Sequence, residues 1–305
     1  MLKISVAMTS YNGEQFIQTQ LISLLKQIRK PDEVIIVDDG SDDNTIEIIR
    51  EFISENGLSN WQLVINDENL GFKQNFKKAL SLTTGDIVFL CDQDDDWCED
   101  KIESISSIFY TEPDILAVNS SFTVIDAEGT QSDLTLKRGK NNYGMIDETL
   151  KKQLTKIRLS SVIHRNISPG CTMAVRRELV DEYVKTTECI LPHDYELNIM
   201  AASKKSLYFY DAPLINYRIH SCNAIGLSVK PQSRTEIATE KLAAARVVYA
   251  CTENKSILKL YGERLHALET LSLFGVIKLW FYKDYYKYFP FRERIGDILY
   301  IFGRR

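Results

Sequence analysis

A mostly parallel β-sheet flanked by helices, followed by a helical C-terminal extension, is the architecture that this 305-residue chain predicts. Three observations lead there. Four short aliphatic runs alternate with longer helical patterns over roughly the first hundred residues, the rhythm of successive βα units. Two of those runs, Val34-Ile35-Ile36-Val37 and Ile87-Val88-Phe89-Leu90, carry no polar side chain, as strands buried on both faces require. After about Pro231 the pattern is helical to the end.

Taken in order, Ile4-Ser5-Val6-Ala7-Met8 forms the first strand, and Gly13 to Ile28 a helix closed by Pro31. Val34 to Val37 is the second strand, followed by the turn residues Asp38-Asp39-Gly40-Ser41 and a helix from about Asn44 to Ile53. Gln62-Leu63-Val64-Ile65 is the third strand, with a helix from about Phe72 to Leu82; Ile87 to Leu90 is the fourth. Between Ala117 and Val175 the pattern is less regular and predicts extra strands around an Asp126-Ala127-Glu128-Gly129 turn. A helical run covers Tyr195 to Ala202, and Pro290 breaks the terminal helical stretch. These readings divide the chain into a sheet-bearing domain, residues 1–228, and a helical extension, residues 229–305.

Composition removes whole classes of function. With 44% hydrophobic and 26% charged residues the chain is neither disordered nor a polytopic membrane protein. A net charge of −5 gives no electrostatic reason to expect a nucleic acid as partner. The charge is uneven, however: residues 271–305 hold seven basic side chains against three acidic, a net of +4. Cys91, Cys98, Cys171, Cys189, Cys222 and Cys251 form no CxxC pair, so neither a zinc ribbon nor a disulfide framework is expected. Reduced thiols and a start that runs straight into a strand point to a cytoplasmic location.

In open parallel sheets ligands bind beyond the carboxyl ends of the strands. That rule nominates Thr9-Ser10-Tyr11-Asn12, Asp38-Asp39, Asn66 to Lys73, and Cys91 to Asp96. Asp92-Gln93-Asp94-Asp95-Asp96 concentrates carboxylates at one strand end, where they repel unless a cation or hydrogen bonds offset them. Three readings follow from the residues. An EF-hand loop from Asp92 to Glu103 would place Trp97 where the sharp turn needs glycine, on a strand where a helix should enter. An Asp-x-Asp site would hold Mg²⁺ or Mn²⁺, and through it a diphosphate leaving group. The third reading is a solvated acidic turn.

The order of these segments is similar to that of inverting family 2 glycosyltransferases with the GT-A, Rossmann-like nucleotide-diphospho-sugar transferase fold. The resemblance rests on Thr9 to Asn12, Val37 to Asp43, Asn69-Leu70-Gly71-Phe72 with Asn75, and Asp92-Gln93-Asp94-Asp95. It continues through Ser168-Pro169-Gly170-Cys171, His193-Asp194 and Tyr217-Arg218-Ile219-His220, with Asn223 beyond, and so covers about residues 2 to 226. Within the family the late motifs look most like those of bacterial rhamnosyltransferases.

The resemblance implies a role for each residue. Thr9, Tyr11 and Asp39 form the pyrimidine pocket, Asp39 accepting from the ring N3–H; Lys73 approaches the nucleotide and Asp92 the ribose. Asp94 ligates Mn²⁺ or Mg²⁺, with His220 completing the site, and Asp95 contacts sugar hydroxyls or the metal through water. Gly170, Cys171, His193 and Arg218 belong to the sugar and acceptor side, the Arg218 fork also suiting phosphate. Asp194 is the general base that takes the acceptor hydroxyl proton, although a carboxylate at a helix start equally reads as a cap. Asp38 reads as a brace for its loop. The implied donor is a dTDP- or UDP-sugar, dTDP-L-rhamnose first, and the acceptor a glycan or lipid-linked glycan in a cell-surface polysaccharide. UDP-glucose, UDP-galactose and UDP-N-acetylhexosamines stay open as donors.

Two other classes compete. A nucleotidyltransferase carries a glycine-rich, basic loop after the first strand, whereas Thr9-Ser10-Tyr11-Asn12-Gly13-Glu14 has no lysine or arginine. An inactive scaffold has no need of the carboxylates Asp94 and Asp194, and both are present. The tail interleaves Phe274, Trp280, Phe281 and further aromatics with basic residues, which reads either as a peripheral contact with the inner face of the membrane or as a helical hairpin packed on the catalytic domain or a second subunit.

Overall fold

The computed structural model describes residues 2–131, 145, 146, 150, 152–186, 188–220 and 233–303. Cys222, Asn223, Pro231, the boundary expected at 228/229, and Arg304 and Arg305 lie outside them.

The chain runs β1 (Ile4–Ser10), α1 (Ile17–Leu25), β2 (Glu33–Asp38), α2 (Thr45–Glu55), β3 (Trp61–Ile65), α3 (Phe72–Leu82), β4 (Ile87–Cys91), β5 (Asp96–Trp97) and α4 (Lys101–Thr111). It continues through β6 (Ala117–Ile125), β7 (Leu154–Lys156), α5 (Leu159–Val162), a 3₁₀ turn at Gly170–Thr172, β8 (Met173–Arg176), α6 (Arg177–Val184), α7 (His193–Ser203) and β9 (Leu207–Arg218). Five helices follow: α8 (Arg234–Thr252), α9 (Lys255–Glu269), α10 (Leu273–Leu279), α11 (Lys283–Tyr288) and α12 (Phe291–Gly303).

One sheet joins the strands in the order β3-β2-β1-β4-β8-β6-β9-β5, with β7 paired to β9. The first four strands are parallel; β8 is antiparallel to both β4 and β6. Strand order reverses between β1 and β4, so a crevice opens beyond their carboxyl ends, where doubly wound sheets bind ligands.

Period-two alternation explains the uniformly apolar runs. Ala7, Ile35, Val37, Val88 and Leu90 enter one core with α3, α6 and α7. Their neighbours Val6, Met8, Ile36, Phe89 and Cys91 enter the other, against α1 and α4. Ala244, Val248, Ile257, Leu260 and Tyr261 of α8 and α9 belong to the first of these cores, so the extension packs on the helical layer of the sheet.

The structure differs from the sequence reading at several boundaries. The first helix is shorter, Ile17 to Leu25, because residues 13–16 form turns. The C-terminal stretch breaks four times, not only at Pro290, since Asn254 and Ser272 cap new helices with their side chains. Long strand β9 and helix α4 carried no expectation. Among the described residues no helix is long and apolar enough to cross a membrane.

Candidate active site

Loop chemistry at the strand ends builds the first wall of a cleft of about 520 Å³. Asp38 accepts from Ser10 Oγ at 2.6 Å and from the Ser41 N–H at 2.7 Å, bracing the β1 and β2 ends against each other. Asp39 accepts from Asn66 Nδ2, Leu70 N–H and Gly71 N–H at 2.7, 2.8 and 2.9 Å, pinning the loop that starts α3. Gly71 holds φ at +77°, the conformation glycine tolerates best, so that its N–H can reach Asp39. Tyr11, 46% exposed, stands over this wall with its main chain clamped by Gln93: Tyr11 N–H donates to Gln93 Oε1 at 2.8 Å and Gln93 Nε2 donates to Tyr11 O at 3.0 Å.

Beyond β4 lies the acidic turn. Asp94 and His220 meet at 2.8 Å (Oδ2 to Nε2) across 126 residues of sequence. The His220 ring packs on Phe16, centroids 4.5 Å apart. Asp95 is fully buried beneath the turn; its Oδ1 accepts from the Arg218 N–H at 3.0 Å, and Oδ2 has no hydrogen-bond partner among the described residues. Ligand atoms of Asp92, Asp95 and Cys171 lie within 4.8 Å of one another. Burial, reinforced by the charges of Asp94 and Asp95, holds Asp92 well above the usual carboxylate range, and burial with Asp94 raises Asp95 to about 7. Lys101, buried over the Trp97 ring at 3.4 Å, donates to Cys171 O and is lowered to about 8 by desolvation. Crowded carboxylates, an orphaned carboxylate oxygen and an imidazole at the rim fit a hard divalent cation. The Cys171 thiol, raised well above its ordinary value by burial, remains protonated and does not suit that ion.

A further part of the lining comes from α7 and the segment before β8. Pro192 precedes the helix, which starts at His193, two residues earlier than the sequence pattern predicts, so Asp194 sits in its first turn. Burial raises the Asp194 carboxyl to about 6, opposed by the first-turn N–H groups of the helix and by Asn166 Nδ2, which donates to Oδ2 at 2.6 Å. Behind Asn166 the side-chain amides continue: Asn198 Nδ2 donates to Asn166 Oδ1 at 2.8 Å, and Asn119 Nδ2 to Asn198 Oδ1 at 2.7 Å. His193 stacks on Phe76, 3.7 Å between centroids, and burial lowers it to about 3, leaving a neutral ring with both nitrogens unpartnered among the described residues. A Cβ at Gly170 would lie 3.0 Å from His193 Nε2 and 3.2 Å from Asp194 Cβ, so this floor accepts only glycine without displacement.

Of the residues singled out from the sequence, Thr9, Tyr11, Asp39, Asp92, Asp94, Gly170, His193 and Asp194 line the one cleft. Lys73, Asp95, Cys171, Arg218 and His220 stand outside that lining. Lys73 Nζ instead donates to the carbonyls of Cys189 and Ile190 at 3.3 and 3.1 Å, tying α3 to the segment that leads into α7. The Arg218 guanidinium reaches the carbonyls of Asp94, Ala127 and Asp126 at 2.8, 3.0 and 3.1 Å, bracing the acidic turn from behind. Sequence reasoning quoted Gln93 in its motif without a role and missed Asn166, Phe76 and Glu240, the last brought to the cleft by α8. Asn198 stood four residues after Asp194, on the same helical face, a spacing that could have flagged it.

Known proteins resemble the chain in sequence and in fold. An uncharacterized glycosyltransferase of Nostoc is 26% identical over 181 residues, 59% of this chain, and the chain spans 53% of that relative's length. The dTDP-rhamnosyl transferase RfbG of Shigella flexneri is 26% identical over 233 residues, covering 73% of this chain and 74% of RfbG. The crystal structure of S. aureus TarS in complex with UDP-GlcNAc superposes with a TM-score of 0.61 at 19% identity, over 98% of this chain and 81% of that one. The glycosyl transferase family 2 profile matches residues 5–184. That match runs from β1 through α6 and takes in every strand end that builds the first wall; the chain therefore belongs to glycosyl transferase family 2, with a sheet of the GT-A type.

Proposed function

We propose that the chain is a metal-dependent, inverting glycosyltransferase that moves L-rhamnose from dTDP-rhamnose to a hydroxyl of a glycan or lipid-linked glycan. The observation that carries this reading is one cleft lined by Asp92, Asp94 and Asp194 together. Inversion needs both a base and a site for the diphosphate in one cleft, because the two act on opposite faces of the anomeric carbon. The preference for rhamnose rests on the similarity to RfbG; a UDP-sugar is the second reading, supported by the likeness to TarS with UDP-GlcNAc.

Tyr11 offers its exposed ring to the base. Asp39 accepts three hydrogen bonds, and a carboxylate offers about four acceptor sites, so one remains for the pyrimidine N3–H. Asp94 and His220 would hold Mn²⁺ or Mg²⁺, with Asp92 and Asp95 beside them. Such an ion, when bound, neutralises charge developing on the diphosphate. Asp194, ionised above about pH 6, takes the acceptor proton as the hydroxyl oxygen attacks C1 and the C1–O bond to the diphosphate breaks. His193, neutral, orients the acceptor by hydrogen bonding. Gly170 keeps the floor open beside it, and Arg218 and Lys73 position the walls.

Calorimetric titration with dTDP, UDP and GDP, in Mn²⁺ and then in EDTA, tests the donor half. Binding of dTDP that requires Mn²⁺ and disappears in Asp94→Asn is expected. Binding of no nucleotide under any condition would overturn the proposal, and UDP binding as tight as dTDP would overturn the choice of rhamnose.

A further inference from the structure

The C-terminal helices partition their charges. Of the three acidic residues beyond residue 270, two are turned inward: Asp297, fully buried, accepts from Arg264 Nε and Nη2 at 2.8 Å each, and Glu293 accepts from Lys241 Nζ at 2.6 Å. What remains outside is mostly basic and aromatic, with Asp284 the third acidic side chain. On α10, Val276 is buried, while Phe274 (80% exposed) and Lys278, which pairs with Glu263 of α9 at 3.4 Å, occupy the opposite face; Phe281 (86%) follows just past the end of the helix. On α12, Ile301 is buried, while Arg292 and Leu299 (64% exposed) point the other way. The two helices are joined at the surface by Arg294, whose guanidinium lies 5.1 Å from the Trp280 ring centroid, 4.4 Å from Tyr286 and 5.6 Å from Phe291. Tyr286 and Phe291 are themselves 52% and 64% exposed. Apolar side chains this exposed on consecutive elements mark an interaction surface.

We infer that this surface of α10–α12 docks the protein on an anionic lipid bilayer, with Phe274, Phe281 and Phe291 inserted at the headgroup boundary and Arg292 and Arg294 over lipid phosphates. Charge complementarity selects this occupant. A second copy meeting the same face across a two-fold axis would set basic side chains against basic side chains, whereas an anionic leaflet matches them. Exposed phenylalanines supply the apolar contact, and tryptophan and tyrosine, with one apolar and one polar end, suit the interface itself. The inference does not depend on which nucleotide or sugar the cleft binds.

Co-sedimentation of the full chain with phosphatidylcholine vesicles, with and without phosphatidylglycerol, is the test. Binding is expected only to the vesicles containing phosphatidylglycerol and should weaken with salt. Phe274→Ser/Phe281→Ser and Arg292→Glu/Arg294→Glu should each lower the partition coefficient about tenfold or more, since each basic residue near the surface counts for several-fold. Circular dichroism and nucleotide titration confirm that each variant is folded. Equal binding by wild type and variants, or none to anionic vesicles, would overturn the inference. So would a dimer in analytical ultracentrifugation that the phenylalanine variant abolishes while vesicle binding is absent.

Discussion

Replacing Asp194 by asparagine should make the protein more stable and remove its turnover, and both effects follow from one buried carboxyl. The group is 7% exposed, and burial raises it from 3.8 to about 6. A shift of about two units at 1.36 kcal/mol each means that keeping Asp194 ionised costs the fold about 3 kcal/mol at neutral pH. Because the folded value lies above the unfolded one, stability from this group is fully present below about pH 3.8 and is lost as pH rises through about 6. Asparagine cannot ionise and avoids that loss. It also weakens the charge-assisted bonds from Asn166 and the helix N–H groups, so the net gain should be about 1–3 kcal/mol, a rise of several degrees in Tm. Thermal unfolding of both proteins between pH 4 and pH 8 should therefore show a Tm difference near zero at the acid end and full size by pH 7. A transfer assay with dTDP-rhamnose should show kcat reduced about 10²- to 10⁴-fold, with dTDP affinity unchanged. A Tm difference independent of pH would refute the buried-carboxylate argument, and retention of most turnover would refute the base.

Two further expectations concern buried polar partners, one beside the site and one in the extension. Asn166→Ala removes the donor that favours ionised Asp194, so the acidic limb of kcat/KM should move up by about one pH unit, whereas a purely structural role would lower kcat and leave the limb in place. In the extension, Arg264→Met leaves fully buried Asp297 with Arg234 at 3.2 Å as its remaining ionic partner and should cost about 3–5 kcal/mol in chemical denaturation. Arg264→Met/Asp297→Leu should recover much of that loss, and a single-variant cost below about 1 kcal/mol would contradict the reading of the pair as buried.

Much of the scaffold was legible because its signals are local. Apolar runs such as Ile87 to Leu90 report burial on both faces, and the helix expected at Phe72 to Leu82 has those bounds, set by Gly71 at one end and extended Thr83 at the other. The position of the acidic turn also follows from sequence alone, since strand β4 ends where the carboxylates begin. Strand β9 was not legible: Leu207 to Arg218 includes Asp211 and Pro213 at a shift of register, so its alternation is interrupted. The terminal helices were misjudged in number because apolar and basic residues continue across their breaks: Pro290 marks one, the caps at Asn254 and Ser272 mark two more, and the break before α11 has no side-chain cap.

Residue types and their order along the chain thus determined the fold class, the strand ends that carry chemistry and the identity of most cleft residues. Tertiary structure decided which of them act together. Asp94 meets His220 across 126 residues, Asn166 reaches Asp194 across 28, and Lys73 and Arg218 turn from the cleft to main-chain carbonyls. No sequence spacing encodes those meetings, because they depend on strands pairing out of chain order and on α7 and α8 closing over the sheet. The raised Asp194 and Asp92 carboxyls have the same origin: desolvation belongs to the packed cleft, and the side chain acquires it only on folding.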